Sequence, residues 1–157
     1  APVFIQSFEV SNLKVLRQLS PLRLVQLYGK GQPQDQVVQG NPLTYEQMAT
    51  PAGLKAVAEY ANGVGPDKGY VIPRQPDGSL GEPTRFVTDA HAAGLKVHPY
   101  TFRAENQFLP TDLQRGNDPA TRGDIEAELR AFLATGIDGL FIDQPDIAVR
   151  LRDAARH

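Results

Sequence analysis

The stretch Ala92-Ala93-Gly94-Leu95-Lys96-Val97-His98-Pro99-Tyr100-Thr101-Phe102-Arg103 decides the fold. Two alanines end a helix, a glycine stops it, and Leu95–Phe102 follows as a β-rich run. The pattern recurs in Ala134-Thr135-Gly136-Ile137-Asp138-Gly139, where the last strand, Ile137–Asp143, is expected to start. A unit of helix, glycine and strand that repeats along a chain belongs to a parallel sheet with helices outside it.

Working outward, Val3–Phe8 and Leu22–Tyr28 read as buried strands. Between them Ser11 is expected to cap a helix over Asn12–Gln18, with Leu13, Val15, Leu16 and Leu19 at helical spacing. Residues 30–49 show little periodicity and read as an excursion loop. Thr50-Pro51 starts a helix whose stripe is Leu54, Val57, Ala58 and Ala61, closed by Asn62-Gly63. Val64-Gly65-Pro66 is a minimal strand that Tyr70-Val71-Ile72 could extend. Residues 73–83 are loop-like, and Thr84–His91 is helical. A second long loop spans 103–120. Thr121–Thr135 is a helix with Ile125, Leu129, Phe132 and Leu133 on one face, and Asp146–Ala155 is a final helix.

The fold class is therefore α/β, in one of two architectures. Five strands in 157 residues suit a doubly wound sheet, and length alone favours it. The alternative is part of a (β/α)8 barrel, a fold of about 250 residues. No Gly-rich phosphate loop follows any strand. Composition excludes other classes. Charged residues at 22% and hydrophobic ones at 41% describe a globular chain. The apolar runs are too short to cross a bilayer, and a net charge of −2 argues against nucleic acid as partner. Without cysteine there is no disulfide scaffold or thiolate zinc site. The chain begins at Ala1 rather than Met and carries no signal peptide, so its start is expected to be processed or cut.

In both architectures ligands bind at the carboxyl ends of the strands. Those ends hold Gln6, Ser7 and Phe8, then Gln26 and Tyr28, then Asp67 and Lys68, then His98, Tyr100 and Arg103, and last Asp143. Amides, aromatics and cations dominate, and no carboxylate pair is set for acid/base work. His98 could donate a proton or hold an anionic oxygen, or be a hydrogen-bonded structural histidine. Arg103 and Lys68 suit a phosphate or carboxylate, or are solvated charges. Asp143 is expected to serve the last helix start. His91 reads as an inert helix residue and His157 as terminal. Asp112, Asp118, Asp124, Glu126 and Glu128 read as a solvated acidic face. Ser7 lacks a nucleophile elbow.

Several segments together resemble a known family. They are Gln6-Ser7-Phe8, Gly63-Val64-Gly65-Pro66-Asp67-Lys68, the run from Asp89 to Asn106, and Gly136-Ile137-Asp138-Gly139-Leu140-Phe141-Ile142-Asp143-Gln144-Pro145-Asp146. In order along the chain they are similar to the C-terminal part of the glycerophosphodiester phosphodiesterases, most of all the bacterial periplasmic type. Ile142 departs from the family's usual threonine. The resemblance implies a (β/α)8 barrel that hydrolyses glycerophosphodiesters to glycerol 3-phosphate and an alcohol with a divalent cation, calcium or magnesium. It implies a periplasmic or secreted setting. The family's His-Arg-Gly, Glu-x-Asp and Glu-x-Lys motifs, which carry catalysis and metal binding on its first three strands, are absent from this sequence. Residues 1–157 would then be the C-terminal portion of a single barrel domain, strands four to eight, with Val3–Phe8 fourth and Ile137–Asp143 eighth. No catalytic or metal residue is assigned to the chain. It supplies a substrate-side wall from Phe8, Gln6, Gln26, Lys68, His98, Tyr100, Arg103 and Asn106, with Tyr100 and Phe8 at the implied glycerol pocket. The expected partners are the substrate and either the N-terminal barrel segment or a second copy of the chain. Non-catalytic capture of a phosphorylated polyol by a self-standing α/β module remains the alternative.

Overall fold

A computed structural model of the chain describes residues 3–154. Strand β1 (Phe4–Ser7) leads into α1 (Val10–Leu19) and β2 (Arg23–Tyr28). Short helices α2 (Gln34–Val38) and α3 (Tyr45–Met48) precede α4 (Pro51–Val57) and β3 (Gly63–Pro66). Then come α5 (Phe86–Ala92), β4 (Lys96–Val97), α6 (Ile125–Ala134) and α7 (Pro145–Ala154). His157 and Ala155 lie outside the described residues.

The four strands pair in parallel in the order β1-β2-β3-β4, and a parallel bridge from Phe102 to Ile142 adds the final segment. A doubly wound sheet reverses its strand order at a switch point. No reversal occurs among the described residues, so the doubly wound alternative is set aside. With right-handed crossovers, an unreversed order puts all connecting helices on one face. That face buries Leu24, Tyr28, Val64 and Val97 against Leu13, Leu54, Phe86, Ala90, Phe132 and their neighbours. The other face is concave. Phe4 and His98 sit on strands three spacings apart, about 14 Å in a flat sheet. Their rings nevertheless meet edge to face at 5.2 Å. Gly65 lies beneath this closure, where a Cβ would stand 2.5 Å from Leu27 Cδ2.

Both glycines of the repeated unit adopt the left-handed conformation that stops a helix, Gly94 at φ +81° and Gly136 at φ +86°. Other expectations change. The 30–49 excursion contains α2 and α3, the latter closed by a capping box between Thr44 and Gln47. Ser11 lies inside α1 rather than capping it. The Ser11 N–H, in the first turn of the helix, instead donates to Asp35 Oδ2 at 2.6 Å, while Asp35 N–H donates to Glu9. The α4 helix stops before Asn62, whose side-chain oxygen accepts from Leu24 N–H and Arg17. Tyr70 belongs to a 3-10 turn (Lys68–Tyr70) rather than to a strand extension. The expected strands over 95–102 and 137–143 shrink to β4 and to single bridges at Tyr100, Phe102 and Ile142. Bonding to the β3 side continues through His98 and Tyr100 N–H, whereas Pro99 has no N–H to give to the last segment, which it meets only by accepting from Phe141 N–H.

Asp138 anchors the last segment to β4. It accepts from Lys96 Nζ at 2.7 Å and Val97 N–H at 3.0 Å, and pairs with His91 Nε2 at 2.8 Å. His91 is therefore a tether rather than an inert surface residue. Burial pushes the Asp138 carboxyl up, but these three partners outweigh it and hold the group below its usual 3.8. A depressed carboxylate stabilises the fold above its unfolded pKa and loses that contribution as pH falls through the folded value. Asp138→Asn should therefore cost about 1–2 kcal/mol at pH 7. It should also flatten the loss of stability below about pH 4, as read by urea unfolding across pH.

Candidate functional site

The carboxyl ends of β1, β2 and β3 converge on a cluster of aromatic rings. Phe8 meets Tyr100 at 5.9 Å and Tyr45 at 6.4 Å, both edge to face. Three tyrosine hydroxyls donate to main-chain carbonyls at these ends: Tyr45 to Phe8 at 3.2 Å, Tyr100 to Tyr28 at 2.7 Å and Tyr70 to Gly29 at 2.8 Å. Each ring is thus fixed at its tip. Gly29 packs beside these rings, and a Cβ there would make ordinary contact with Phe8 and Tyr45 at 3.6 and 3.7 Å. Phe8 is 41% exposed, and Tyr70 and Tyr100 are half-buried. Burial first, then Glu9, pushes the Tyr45 hydroxyl up to about 12. Burial and Asp67 push Tyr100 up to about 12. All three tyrosines therefore stay neutral donors at physiological pH.

The wall residues fall into two groups. Phe8, Tyr100, Gln6 and Arg103 remain accessible. Phe8 and Gln6 share the concave face of β1, following the alternation of a strand. Arg103 is pinned, with Nε on Asp143 at 2.8 Å and its guanidinium over Phe108 at 4.7 Å.

Of the other four, Gln26, Asn106 and Lys68 have their polar ends engaged within the fold, which corrects their expected exposure at the wall, and His98 lies at the other end of the sheet. Gln26 is fully buried. Its amide donates to the Ser7, Phe8 and Leu27 carbonyls and its oxygen accepts from Tyr60. Asn106, 3% exposed, donates to the Arg115 and Asp118 carbonyls and accepts from Arg115 N–H. Lys68 turns its ammonium inward onto Glu128 at 2.7 Å and over the Phe102 ring. His98 faces an open pocket of about 530 Å³ lined by Phe4, Arg23, Asn62 and Lys96, at the amino ends of the strands. Burial lowers its pKa, so it is neutral at pH 7. His98 and Tyr100 both touch the concave side of β1, but at opposite ends of the sheet.

The acidic group also divides. Asp124 caps α6 and Glu126 pairs with Arg130 and Arg150. Glu128 is buried, a position its sequence already signalled. Residues 125, 128, 129 and 132 share one helical face, and the other three are apolar. Tyr45 and Tyr70 carry no local signal for this cluster, since Tyr45 starts α3 within the 30–49 excursion and Tyr70 ends a 3-10 turn.

The carboxylates at the strand ends do not fit a divalent cation. Asp67 caps the Gly69 N–H, Asp143 holds Arg103, and among the described residues no three metal-ligating side chains converge.

The glycerophosphoryl diester phosphodiesterase family model matches residues 1–147. The chain belongs to this family. Among relatives, the Arabidopsis thaliana glycerophosphodiester phosphodiesterase GDPD6 is 33% identical over 90% of this chain and 35% of its own length. A glycerophosphodiester phosphodiesterase of Haemophilus influenzae is 28% identical over 94% of this chain and 41% of its own length. A crystal structure of a candidate glycerophosphoryl diester phosphodiesterase from Agrobacterium tumefaciens shares the fold. It aligns with a TM-score of 0.54 at 15% identity, over 96% of this chain and 44% of its own. This family member thus spans roughly two fifths of each protein it matches.

Proposed function

We propose that the chain forms the C-terminal part of a (β/α)8 barrel that hydrolyses glycerophosphodiesters to glycerol 3-phosphate and an alcohol, and that it is inactive by itself. The unreversed parallel sheet carries this reading. It curls about a concave face, as barrel strands do, and brings its exposed aromatics to the carboxyl ends where barrel sites lie. Exposed Phe4 and Phe8 project from β1, whose only paired neighbour among the described residues is β2. Strands from the N-terminal barrel segment would cover them and supply the calcium or magnesium ligands and the acid and base.

In this reading the chain's own residues position the substrate. Phe8 and Tyr100 offer ring surface to its carbon skeleton. Gln6 and Arg103 are the other wall residues left accessible to it. Phosphodiester cleavage needs charge neutralisation on the phosphoryl oxygens and a proton for the leaving alkoxide. Neither is provided by a neutral His98 at the far end of the sheet.

The purified chain with calcium or magnesium should release no glycerol 3-phosphate from glycerophosphocholine above the buffer blank. Mixing it with the first three βα units of a family relative, or fusing it to them, should restore turnover. Hydrolysis by the chain alone, or a correctly folded fusion without activity, would defeat the proposal.

A further inference from the structure

We infer that the pocket at the amino ends of the strands, at the opposite end of the sheet from Phe8 and Tyr100, binds a tetrahedral oxyanion such as a phosphate group through Arg23, Asn62 and His98. The inference is independent of the phosphodiesterase reading.

Strand alternation assembles the pocket. Phe4 is paired in register with Arg23, so the two share the concave face. Val25, two residues further along β2, pairs with Gly63, and Gly63 pairs with Lys96. Lys96 and, two residues later, His98 therefore face the same way. The curl of the sheet closes these residues around a cavity of about 530 Å³. Phe4 stands between two donors. The Arg23 guanidinium lies 5.6 Å from the centre of its ring and the His98 ring 5.2 Å from it. His98 is held in place by Gly139, where a Cβ would come within 2.9 Å of His98 Cδ2. Asn62 borders the same cavity, with its carbonyl accepting from Lys96 N–H at 3.1 Å.

The hydrogen-bonding capacity left over is almost all donor. Arg23 has no carboxylate partner among the described residues, and a guanidinium lying over a ring keeps its N–H groups for another acceptor. The Asn62 side-chain oxygen accepts from Leu24 N–H at 3.0 Å and from Arg17, which fixes the amide and leaves its NH2 unspent among the described residues. The His98 ring makes no hydrogen bond among the described residues, and a neutral imidazole has one N–H to give. The one carboxylate among the lining residues is Asp138, already occupied by Lys96, Val97 N–H and His91. Lys96 adds positive charge and has further N–H groups beyond the one on Asp138.

This donor set selects among ligands. A single arginine fork satisfies both oxygens of a carboxylate. Here the donors stand on three segments, at the start of β2, before β3 and after β4, and together they suit an acceptor whose oxygens do not lie in one plane. Phosphate and sulfate have that shape. A neutral polyol would also need acceptors, and the pocket's carboxylate is already taken.

The test follows amide and imidazole NMR shifts of the chain as inorganic phosphate is added at fixed ionic strength, with acetate as the planar control. Shifts should centre on Arg23 and His98, and phosphate should bind at least fivefold more tightly than acetate. Arg23→Gln, at an exposed position, should weaken phosphate at least fivefold. Arg85→Gln, which removes the same charge from an exposed site elsewhere, should change it less than twofold. Equal binding of phosphate and acetate, indifference to Arg23→Gln, an equal effect of Arg85→Gln, or shifts centred on Tyr100 and Arg103 would overturn the inference. The fused barrel should keep its phosphate affinity within threefold of the chain's. Loss of binding in a correctly folded fusion would show that the N-terminal segment fills the pocket, and the inference would fall whatever the fusion hydrolyses. A fusion that binds phosphate here but cleaves no diester would overturn only the phosphodiesterase reading.

Discussion

Lys68→Met should destabilise the fold by about 3–5 kcal/mol at pH 7, because it strands a buried carboxylate. Glu128 is 1% exposed, and Lys68 Nζ contacts its Oε1 at 2.7 Å. Its Oε2 has no hydrogen-bond partner among the described residues, so Lys68 provides most of the compensation for that charge. Arg74 adds charge nearby but donates to the Phe108 carbonyl. Burial pushes the Glu128 carboxyl up and the Lys68 ammonium down, and each partner's charge opposes the shift of the other. Without the lysine the upward push of burial is opposed only by the weaker charge of Arg74. A carboxyl whose folded pKa is raised favours the protonated form, so its penalty grows as pH rises and eases as pH falls. Urea unfolding of Lys68→Met at pH 7 and pH 5 should therefore show the smaller loss at pH 5. The double variant Lys68→Met/Glu128→Leu should recover most of the stability, since a packed apolar pair avoids desolvating two ions. A single variant within 1 kcal/mol of the parent chain, or a double no better than the single, would contradict this account.

That pair also shows where a sequence stops being readable. The helix–glycine–strand unit around Gly94 and Gly136 is local, so both helix stops and the parallel sheet could be drawn from the chain. So could the α4 start at Thr50-Pro51, where the hydroxyl accepts from the Gly53 N–H. Strand lengths could not. Leu95–Phe102 looks continuous in composition, yet its partners set where pairing ends, and only Lys96–Val97 finds a regular neighbour. Strand-end position places Phe8 and Tyr100 at one end of the sheet, where their rings meet, because that rule concerns backbone direction. It could not tell Gln26 and Lys68 apart from ligand-facing residues. A residue near a strand end points to solvent or to the core according to alternation and curl, and its polar atoms find partners far away in sequence. Gln26 meets Tyr60 across 34 positions and Lys68 meets Glu128 across 60. Tyr45 and Tyr70 are illegible for the converse reason. Nothing in the local sequence says that three separate hydroxyls will converge on the carbonyls of Phe8, Tyr28 and Gly29.

Asn106→Asp should be the most damaging isosteric change in the chain, costing about 3–5 kcal/mol at neutral pH through two lost donors and a buried charge. The Asn106 amide holds the excursion between β4 and α6 closed by donating 2.9 Å bonds to the carbonyls of Arg115 and Asp118. Its oxygen accepts from Arg115 N–H at 2.9 Å, a bond the aspartate would keep. Its backbone joins in, with N–H on the Thr121 carbonyl and the carbonyl taking Gln114 Nε2. Space is short as well, since a Cβ on neighbouring Gly123 would lie 2.7 Å from Asn106 Oδ1. Aspartate in this position turns two attractive contacts into oxygen facing oxygen. Protonation restores one donor, so the introduced carboxyl has a raised folded pKa and the loss shrinks as pH drops through it. The damage should also be local before it is global. Arg115 and Arg122 lie in the released segment, so trypsin should cleave there in Asn106→Asp under conditions where the parent chain resists. Because this excursion carries Arg103 at its start and Phe108 beneath it, the Arg103–Asp143 pair should loosen with it. Unchanged trypsin resistance together with a stability loss below 1 kcal/mol would show that Asn106 is not the hub of the loop.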